Sequence, residues 1–458
     1  MAGPIQVPKS DRDLNPTAAD KVLAPFQRFM RFEAGGGVLL IACALIAMIW
    51  ANSGGSASYI ELFYTSKVTI GFGDWSLSKP FILWINDLLM AVFFLLVGLE
   101  IKREVLVGEL RSPRKAALPI AAAIGGMAIP GTIYAIVNMG HASGSGWGVP
   151  MATDIAFALG VLALCGSRVP ISVRIFLTSL AIVDDLGALL IIAIFYTESI
   201  GVKYLGYAGA LLALMAILNA MGVRRVLVYL LLGAVVWYFV LKSGVHATIA
   251  GVLVAMTIPA KTRVDQRRYS DFVRSMLERF DADSKGDQRA WTTGTQQSAV
   301  LAIEDAGHKV ETPVRRLEHA LIPWVAFLIL PVFALANAGV SITGGNDDEA
   351  AGSIWSSRAM WGVVLGLLVG KPVGVFGFAW IAQKLGVGVL PEGASWRHVF
   401  GAAWLSGIGF TMALFIANLA FSDAADLDAA KLGVLGASVV AGVIGLCVLI
   451  TGPKPQSA

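Results

Sequence analysis

Ala181-Ile182-Val183-Asp184-Asp185-Leu186-Gly187 places two adjacent carboxylates inside an apolar run, Ile171 to Tyr196, long enough to cross a bilayer. One acidic group at the centre of a membrane helix costs roughly 2.5–3.5 kcal/mol on insertion scales. Two ionised carboxylates about 6 Å apart add ~3 kcal/mol of repulsion at an effective dielectric near 20. Such a pair persists only where a proton, a cation or a basic partner offsets it. Two things decide the fold and the chemistry: whether the rest of the chain also lies in a membrane, and which groups meet the pair at its depth.

Of 458 residues, 56% are hydrophobic and only 14% charged, with a mean hydropathy of +0.72. That composition excludes an ordinary soluble domain and indicates an all-α polytopic membrane protein. Apolar runs fall at 34–51, 81–100, 116–138, 148–165, 171–196, 203–221, 223–241, 244–260, 320–341, 359–383, 398–421 and 431–452. These are spans one to twelve. Cys43, Cys165 and Cys447 lie in apolar segments without pairing or metal spacing and read as small core residues. Residues 1–31 show no apolar core followed by a cleavage site, so the first run is expected to remain as a helix.

Basic residues mark alternate loops. Lys9, Arg12, Lys21, Arg28 and Arg31 precede the first span, and Lys102, Arg103, Arg111, Arg114 and Lys115 follow the second. Arg168 and Arg174 follow the fourth, Arg224 and Arg225 the sixth, Arg263, Arg267, Arg268, Arg315 and Arg316 the eighth, and Lys384 and Arg397 the tenth. The intervening loops are poor in Lys and Arg, and two are acidic, at Asp347-Asp348-Glu349 and at Asp423, Asp426 and Asp428. The positive-inside rule then places both termini in the cytoplasm. The net charge of +4 follows this topology and points to no nucleic acid.

The expected layout is a cytoplasmic segment 1–31, spans one to eight over 32–260, a cytoplasmic insert over 261–318, spans nine to twelve over 319–452, and a cytoplasmic tail 453–458. Between the first two spans, Lys67 to Phe72 alternates, turns at Gly73-Asp74 and resumes at Trp75 to Ser78. This predicts an external β-hairpin over about 66–78, whose free edge would pair with a second copy to give a homodimer. The insert mixes both charge signs and carries an amphipathic piece, Tyr269 to Phe280, suited to a membrane surface. Its composition supports no core of its own and predicts a largely mobile segment.

Polar residues within spans are functional candidates by default. Counting 1.5 Å per residue, Asp154 and Asp184 lie roughly 18 and 20 Å from the cytoplasmic turn between the fourth and fifth spans. Lys371 lies roughly 19 Å above Lys384, and Gly409 and Thr411 roughly 18–21 Å above Arg397. Asp154, Asp184, Asp185, Lys371 and the Gly407-Ile408-Gly409 break thus converge on one layer. Pro150-Met151-Ala152-Thr153-Asp154 and Ser406-Gly407-Ile408-Gly409-Phe410-Thr411 combine helix breakers with hydroxyls. A broken helix at this depth is tolerated only where protein or a cavity satisfies the freed backbone groups. The bland alternatives are packing glycines and a snorkelling Lys371. His246 is a candidate titrating group near the external end of the eighth span, with a satisfied structural histidine as the plainer role.

Carboxylate, hydroxyl and carbonyl oxygens are the ligands that a small hard cation prefers. Deprotonated Asp184 and Asp185 create a negative site, protons erase it, and Lys371 can pair with either carboxylate. Competition of a cation with protons for these groups is antiport chemistry, and it needs no resident cofactor.

Several stretches together resemble the NhaA family of bacterial sodium/proton antiporters. They are Thr153 to Gly160, Ala181 to Ala188, Leu241 to Thr248, Gly370-Lys371-Pro372, Gly407 to Met412 and Leu96 to Glu104. The similarity runs from about Phe32 to Thr451. It implies inverted repeats of spans three to five and ten to twelve, with the fourth and eleventh interrupted and crossing. It also implies Asp185 as the main cation ligand, Asp184 as its neighbour paired with Lys371, and Thr153 as a contributor of an oxygen. Asp154 would join the cation- and proton-binding groups, and Asp154 and Lys371 would also balance the charges of facing half-helix ends. The implied activity is electrogenic exchange of Na⁺ or Li⁺ outward for protons inward across the bacterial inner membrane. Activation by pH would run through Glu100, Glu104 and Glu318, which as helix-end residues are equally suited to simple solvation. The insert is a departure from the family pattern and directly precedes Glu318.

Three other functions share some of these features. A GxGD-type intramembrane aspartyl protease is suggested by Gly71-Phe72-Gly73-Asp74, but that motif lies in the polar hairpin. A cation channel also lines its path with carboxylates. A cation-coupled solute symporter would require further ligand-specific polar groups in the same layer.

Overall fold

The computed structural model describes residues 35–72, 75–197, 200–261, 266–282, 293–341 and 354–452. The 1–31 segment, the hairpin turn at 73–74, the acidic loop at 347–349 and the 453–458 tail lie outside the described residues. Each of the twelve apolar runs contains helix, although not always in one piece. Seven helices have the length and apolarity to cross a membrane, and two bent pairs bring the total to nine among the described residues. The bent pairs are the fourth span, Ala142–Met151 with Ile155–Leu164 at 44°, and the eleventh, Trp396–Leu405 with Phe410–Ala420 at 45°. The first and seventh spans are shorter apolar helices, Gly35–Ala51 and Val226–Lys242.

The eighth span is much shorter than its apolar run, with helix only over Ile249–Thr257. Gly244 has a positive φ of 80° and turns the chain, so the preceding residues cannot join that helix. The tenth span shows the opposite behaviour. Pro372 lacks an N–H, yet the helix runs from Arg358 to Lys384, widening into a π-turn over Gly366–Gly370 just before Lys371.

The chain forms two units. The first comprises Met1–Ile85, Pro113–Ile192 and Ala326–Ala458; the second comprises Asn86–Ser112 and Ala193–Val325. In the first unit, the third span, Pro113–Val137, lies backbone to backbone on the tenth. A Cβ on Gly125 would fall 2.3 Å from the Gly374 carbonyl oxygen, and one on Gly374 would fall 2.1 Å from that of Gly125. Only glycine permits this approach, which brings Lys371 against the third span. The second unit is built on packing of the second span against the short eighth helix, where a Cβ on Gly251 would fall 2.2 Å from the Ala91 carbonyl oxygen. Leu99, Met215, Tyr229, Val236 and Ala255 form its buried core.

Strands β1 (Lys67–Phe72) and β2 (Trp75–Pro80) pair antiparallel, with Lys67 opposite Pro80 and Phe72 opposite Trp75. Thr69 and Ser78 face each other through their hydroxyls at 2.7 Å, and the Trp84 indole donates to the Val68 carbonyl. Within 261–318, helices Gln266–Ala282 and Gly294–Val310 pack on each other. Their apolar faces bury Met276 and Ala299, so this segment forms a small core that composition alone did not suggest. Thr293 and Gln296 close a capping box at the start of the second helix.

Candidate ion-exchange site

The fifth span is a continuous helix, Ile171–Phe195, and it buries both Asp184 and Asp185. Lys371 rises from the π-widened turn of the tenth span to meet the first of them. Its amine donates to Asp184 Oδ2 at 2.7 Å and Oδ1 at 2.9 Å, with both side chains fully buried. It also donates to the Met151 carbonyl. Met151 ends the first half of the fourth span, Ala142–Met151, so this carbonyl belongs to a helix C-terminus, where the macrodipole is negative. Asp185 is 1% exposed and acts electrostatically on the same amine. The backbone N–H and hydroxyl of Thr153 lie against the Asp184 carboxylate.

Asp154 has a different setting. Its Oδ1 accepts the Phe157 N–H at 3.0 Å and so caps the second half of the fourth span, Ile155–Leu164. Its Oδ2 accepts the Thr411 N–H at 3.1 Å and the Thr411 hydroxyl at 2.5 Å. One carboxylate thereby serves the positive N-termini of two half-helices, 155–164 and 410–420. Both of its oxygens are engaged in this capping.

The two breaks are stitched directly to one another. The Asp154 N–H donates to the Ile408 carbonyl at 2.7 Å, and the Thr153 hydroxyl donates to the Ser406 carbonyl at 2.8 Å. Backbone groups freed by the interruptions thus find partners across the crossing, as a chain at membrane depth requires. Gly407 and Gly409 admit the close neighbours. A Cβ on Gly407 would fall 2.7 Å from the Leu367 carbonyl oxygen, and one on Gly409 3.3 Å from that of Ala152.

Among the described residues, no three His, Cys, Asp or Glu side chains converge as a metal cage. A cation at Asp184 and Asp185 would complete its shell with hydroxyl, carbonyl or water oxygens.

The family described as Na⁺/H⁺ antiporter 1 matches residues 27–449. The chain belongs to this family. It is 52% identical over 446 residues to Na(+)/H(+) antiporter NhaA of Oleidesulfovibrio alaskensis, covering 97% of this chain and 98% of the relative. The NhaA of Rhodospirillum rubrum is 49% identical over 427 residues, covering 92% and 96%, and that of Koribacter versatilis 47% over 428 residues, covering 93% and 91%. Family membership agrees with the all-helical multi-span fold and identifies the chain as a transporter rather than an enzyme.

The acidic residues of the second span form a separate cluster in the second unit. The Arg103 guanidinium pairs with Glu318 at 3.0 Å and lies 3.9 Å from Glu104. Glu104 accepts the Glu109 N–H at 2.9 Å, and Glu100 lies within electrostatic reach of Glu318, Arg103 and Glu104. His246 stands apart from this cluster, its Nε2–H donating to the Tyr196 carbonyl at 2.7 Å.

Sequence reasoning missed three kinds of contributor. The Met151, Ser406 and Ile408 carbonyls are backbone groups and leave no residue-type signal. Arg103, one position before Glu104 and three after Glu100, carries the same signal in the sequence as any basic residue that marks a cytoplasmic loop. Ser438, whose hydroxyl accepts the Phe410 N–H at 3.1 Å, is a lone serine in the twelfth span, and its residue type carries no signal of that contact.

Proposed function

We propose that this chain is a secondary active antiporter exchanging Na⁺ or Li⁺ for protons, electrogenic and regulated by pH, working by alternating access at Asp184 and Asp185. The observation carrying this reading is the fully buried Lys371–Asp184 pair beside buried Asp185, where two interrupted helices meet. In the proton-loaded form Asp185 is neutral and Lys371 neutralises Asp184. A cation entering from the cytoplasmic side takes both carboxylates, and two protons leave: one from Asp185 and one from the amine as the pair opens. One charge is left over in each exchange, hence electrogenic transport. The occluded charges, all 0–2% exposed, suit a carrier better than an open pore.

Within this scheme Asp185 is the principal cation ligand, Asp184 alternates between Lys371 and the cation, and Thr153 supplies an oxygen. Asp154 balances the two half-helix N-termini, as its engaged oxygens indicate, instead of binding the cation itself. Glu100, Glu104 and Glu318, gathered around Arg103, form the pH-responsive cluster, while the hydrogen bond from His246 to Tyr196 suits a structural role. The charge pattern supports an inner-membrane protein with both termini in the cytoplasm and the β1–β2 hairpin outside, where its edge would pair with a second copy.

The test is a dye-based ΔpH assay in everted vesicles. Adding Na⁺ or Li⁺ should dissipate the gradient, and Asp185→Asn should abolish the response. Absence of any cation-driven response across neutral and alkaline pH refutes the antiport reading.

A further inference from the structure

The half-helix 410–420 begins at the crossing with free backbone N–H groups, as every helix does. Thr411 spends its N–H on Asp154, in a different span. The Phe410 N–H has another destination, the hydroxyl oxygen of Ser438 in the twelfth span, at 3.1 Å. Ser438 is 1% exposed. The positive end of this half-helix is therefore shared between two acceptors on two other spans, and only one of them is charged.

Ser438 does not act alone on that break. Ala441 and Gly442 follow at three and four positions, which puts all three on one face of the twelfth-span helix, Ala424–Ile450. A Cβ on Gly407 would fall 3.3 Å from the Ala441 Cβ. One on Gly442 would fall 3.5 Å from Ile408 Cδ1 and 3.8 Å from the Phe157 ring. Phe157 in turn packs edge-to-face on Phe410 with ring centroids 5.6 Å apart. The first residues of both capped half-helices thus rest on a single twelfth-span face, with Ser438 as its polar contact.

We infer that Ser438 is a positioning residue for ion exchange, acting through Phe410 to hold Thr411 on Asp154. The inference rests on the antiport reading. Its physical basis is geometric. Phe410 and Thr411 are adjacent on one helical turn, so tethering the first amide to the twelfth span sets where the second amide and the hydroxyl fall. Without the Ser438 hydroxyl, the buried Phe410 N–H loses its acceptor, and such a group seeks another. One charged acceptor already serves this turn, the Asp154 carboxylate used by Thr411. The half-helix then shifts, and the layer that receives the cation shifts with it. The cost falls on binding geometry and on the proton balance of the layer, not on the ligands themselves.

Threonine and valine at 438 have nearly the same size and shape and differ by one hydroxyl, so they separate hydrogen bonding from packing. The experiment measures Na⁺ and Li⁺ concentration dependence and the pH profile in everted vesicles for wild type, Ser438→Thr and Ser438→Val. Ser438→Thr is expected to stay close to wild type. Ser438→Val is expected to raise the apparent KM for both cations about five- to tenfold, the scale of one orphaned buried donor, with the maximal rate largely kept and the pH profile displaced. Equal KM values and pH profiles for the two variants overturn the proposal. Should Ser438→Val fail to insert, Ser438→Cys is the second variant. Its thiol accepts hydrogen bonds only weakly, so an intermediate KM is expected and a wild-type KM overturns the role. Wild-type vesicles are read first: no cation response there defeats antiport itself, whereas a normal response with no hydroxyl dependence defeats only the assignment to Ser438.

Discussion

Replacing Lys371 by alanine removes a buried amine from three oxygen acceptors at once: Asp184 Oδ1 and Oδ2, and the Met151 carbonyl. The carboxylate left behind is 0% exposed. Removing one partner of a buried ion pair costs about 3–5 kcal/mol because the surviving charge is stranded. That cost applies only while Asp184 is ionised. Once protonated, the stranded group is a neutral carboxyl, whose missing hydrogen bond costs about 1–3 kcal/mol. Lys371→Ala is therefore expected to destabilise the protein most in alkali, with the penalty shrinking as the pH falls. At about 2 °C per kcal/mol for a large domain, the drop in melting temperature is ~8 °C in alkali and roughly half that in acid. The assay is thermal unfolding of detergent-purified protein, followed by tryptophan fluorescence across a pH series. Adding Asp184→Asn to Lys371→Ala should recover most of the alkaline loss, because position 184 then carries no charge to strand. A loss independent of pH, or one that Asp184→Asn leaves unchanged, refutes the view that a charge pair underlies the stability of this crossing.

Asp184→Asn alone should slow exchange without abolishing it and make the remainder depend more strongly on membrane potential, measured in proteoliposomes at a set K⁺ diffusion potential; a wild-type rate at every potential counts against Asp184 as the group that trades Lys371 for the cation. Arg103→Gln takes the cation away from Glu318. With the Glu318 side chain only 9% exposed and its counter-charge gone, the pH profile of exchange should move toward alkali; an unmoved profile removes this cluster from pH control. A chain lacking 265–310 should still exchange Na⁺ for protons in vesicles, since the two helices deleted pack on each other, and loss of exchange in a correctly inserted chain would give that pair a larger role. On the proposed edge pairing, deleting 67–80 should lower the mass read by light scattering in detergent from that of two copies to that of one, and a two-copy mass kept after deletion would show that copies associate elsewhere.

Much of this protein was legible along the chain because membranes impose one-dimensional rules. Twelve apolar runs, alternating basic loops and the rarity of charge at depth are all local properties, and a fixed rise per residue turns position into depth. Asp154, Asp184, Lys371 and the Gly407-Gly409 break could thus be assigned to one layer by counting. The boundaries were less legible where a single glycine intervenes, as at Gly244, which shortens the eighth helix. The pairing of the two helices within 261–318 was likewise hidden, since each apolar face looks unpartnered until the other is set against it.

The sequence by itself determined that two carboxylates lie in a bilayer-spanning helix and that other charges share their depth. Depth, however, does not say who touches whom. Only the tertiary structure assigned Lys371 to Asp184 and turned Asp154 toward Thr411 and Phe157. It also brought in the Met151, Ser406 and Ile408 carbonyls and the Ser438 hydroxyl. The physical reason is that residue type encodes a cost that must be offset, while the offset comes from backbone dipoles and side chains hundreds of positions away. Their approach depends on glycine contacts such as Gly125 against Gly374. At this crossing the packing of helices, not the motif, decides which charge meets which.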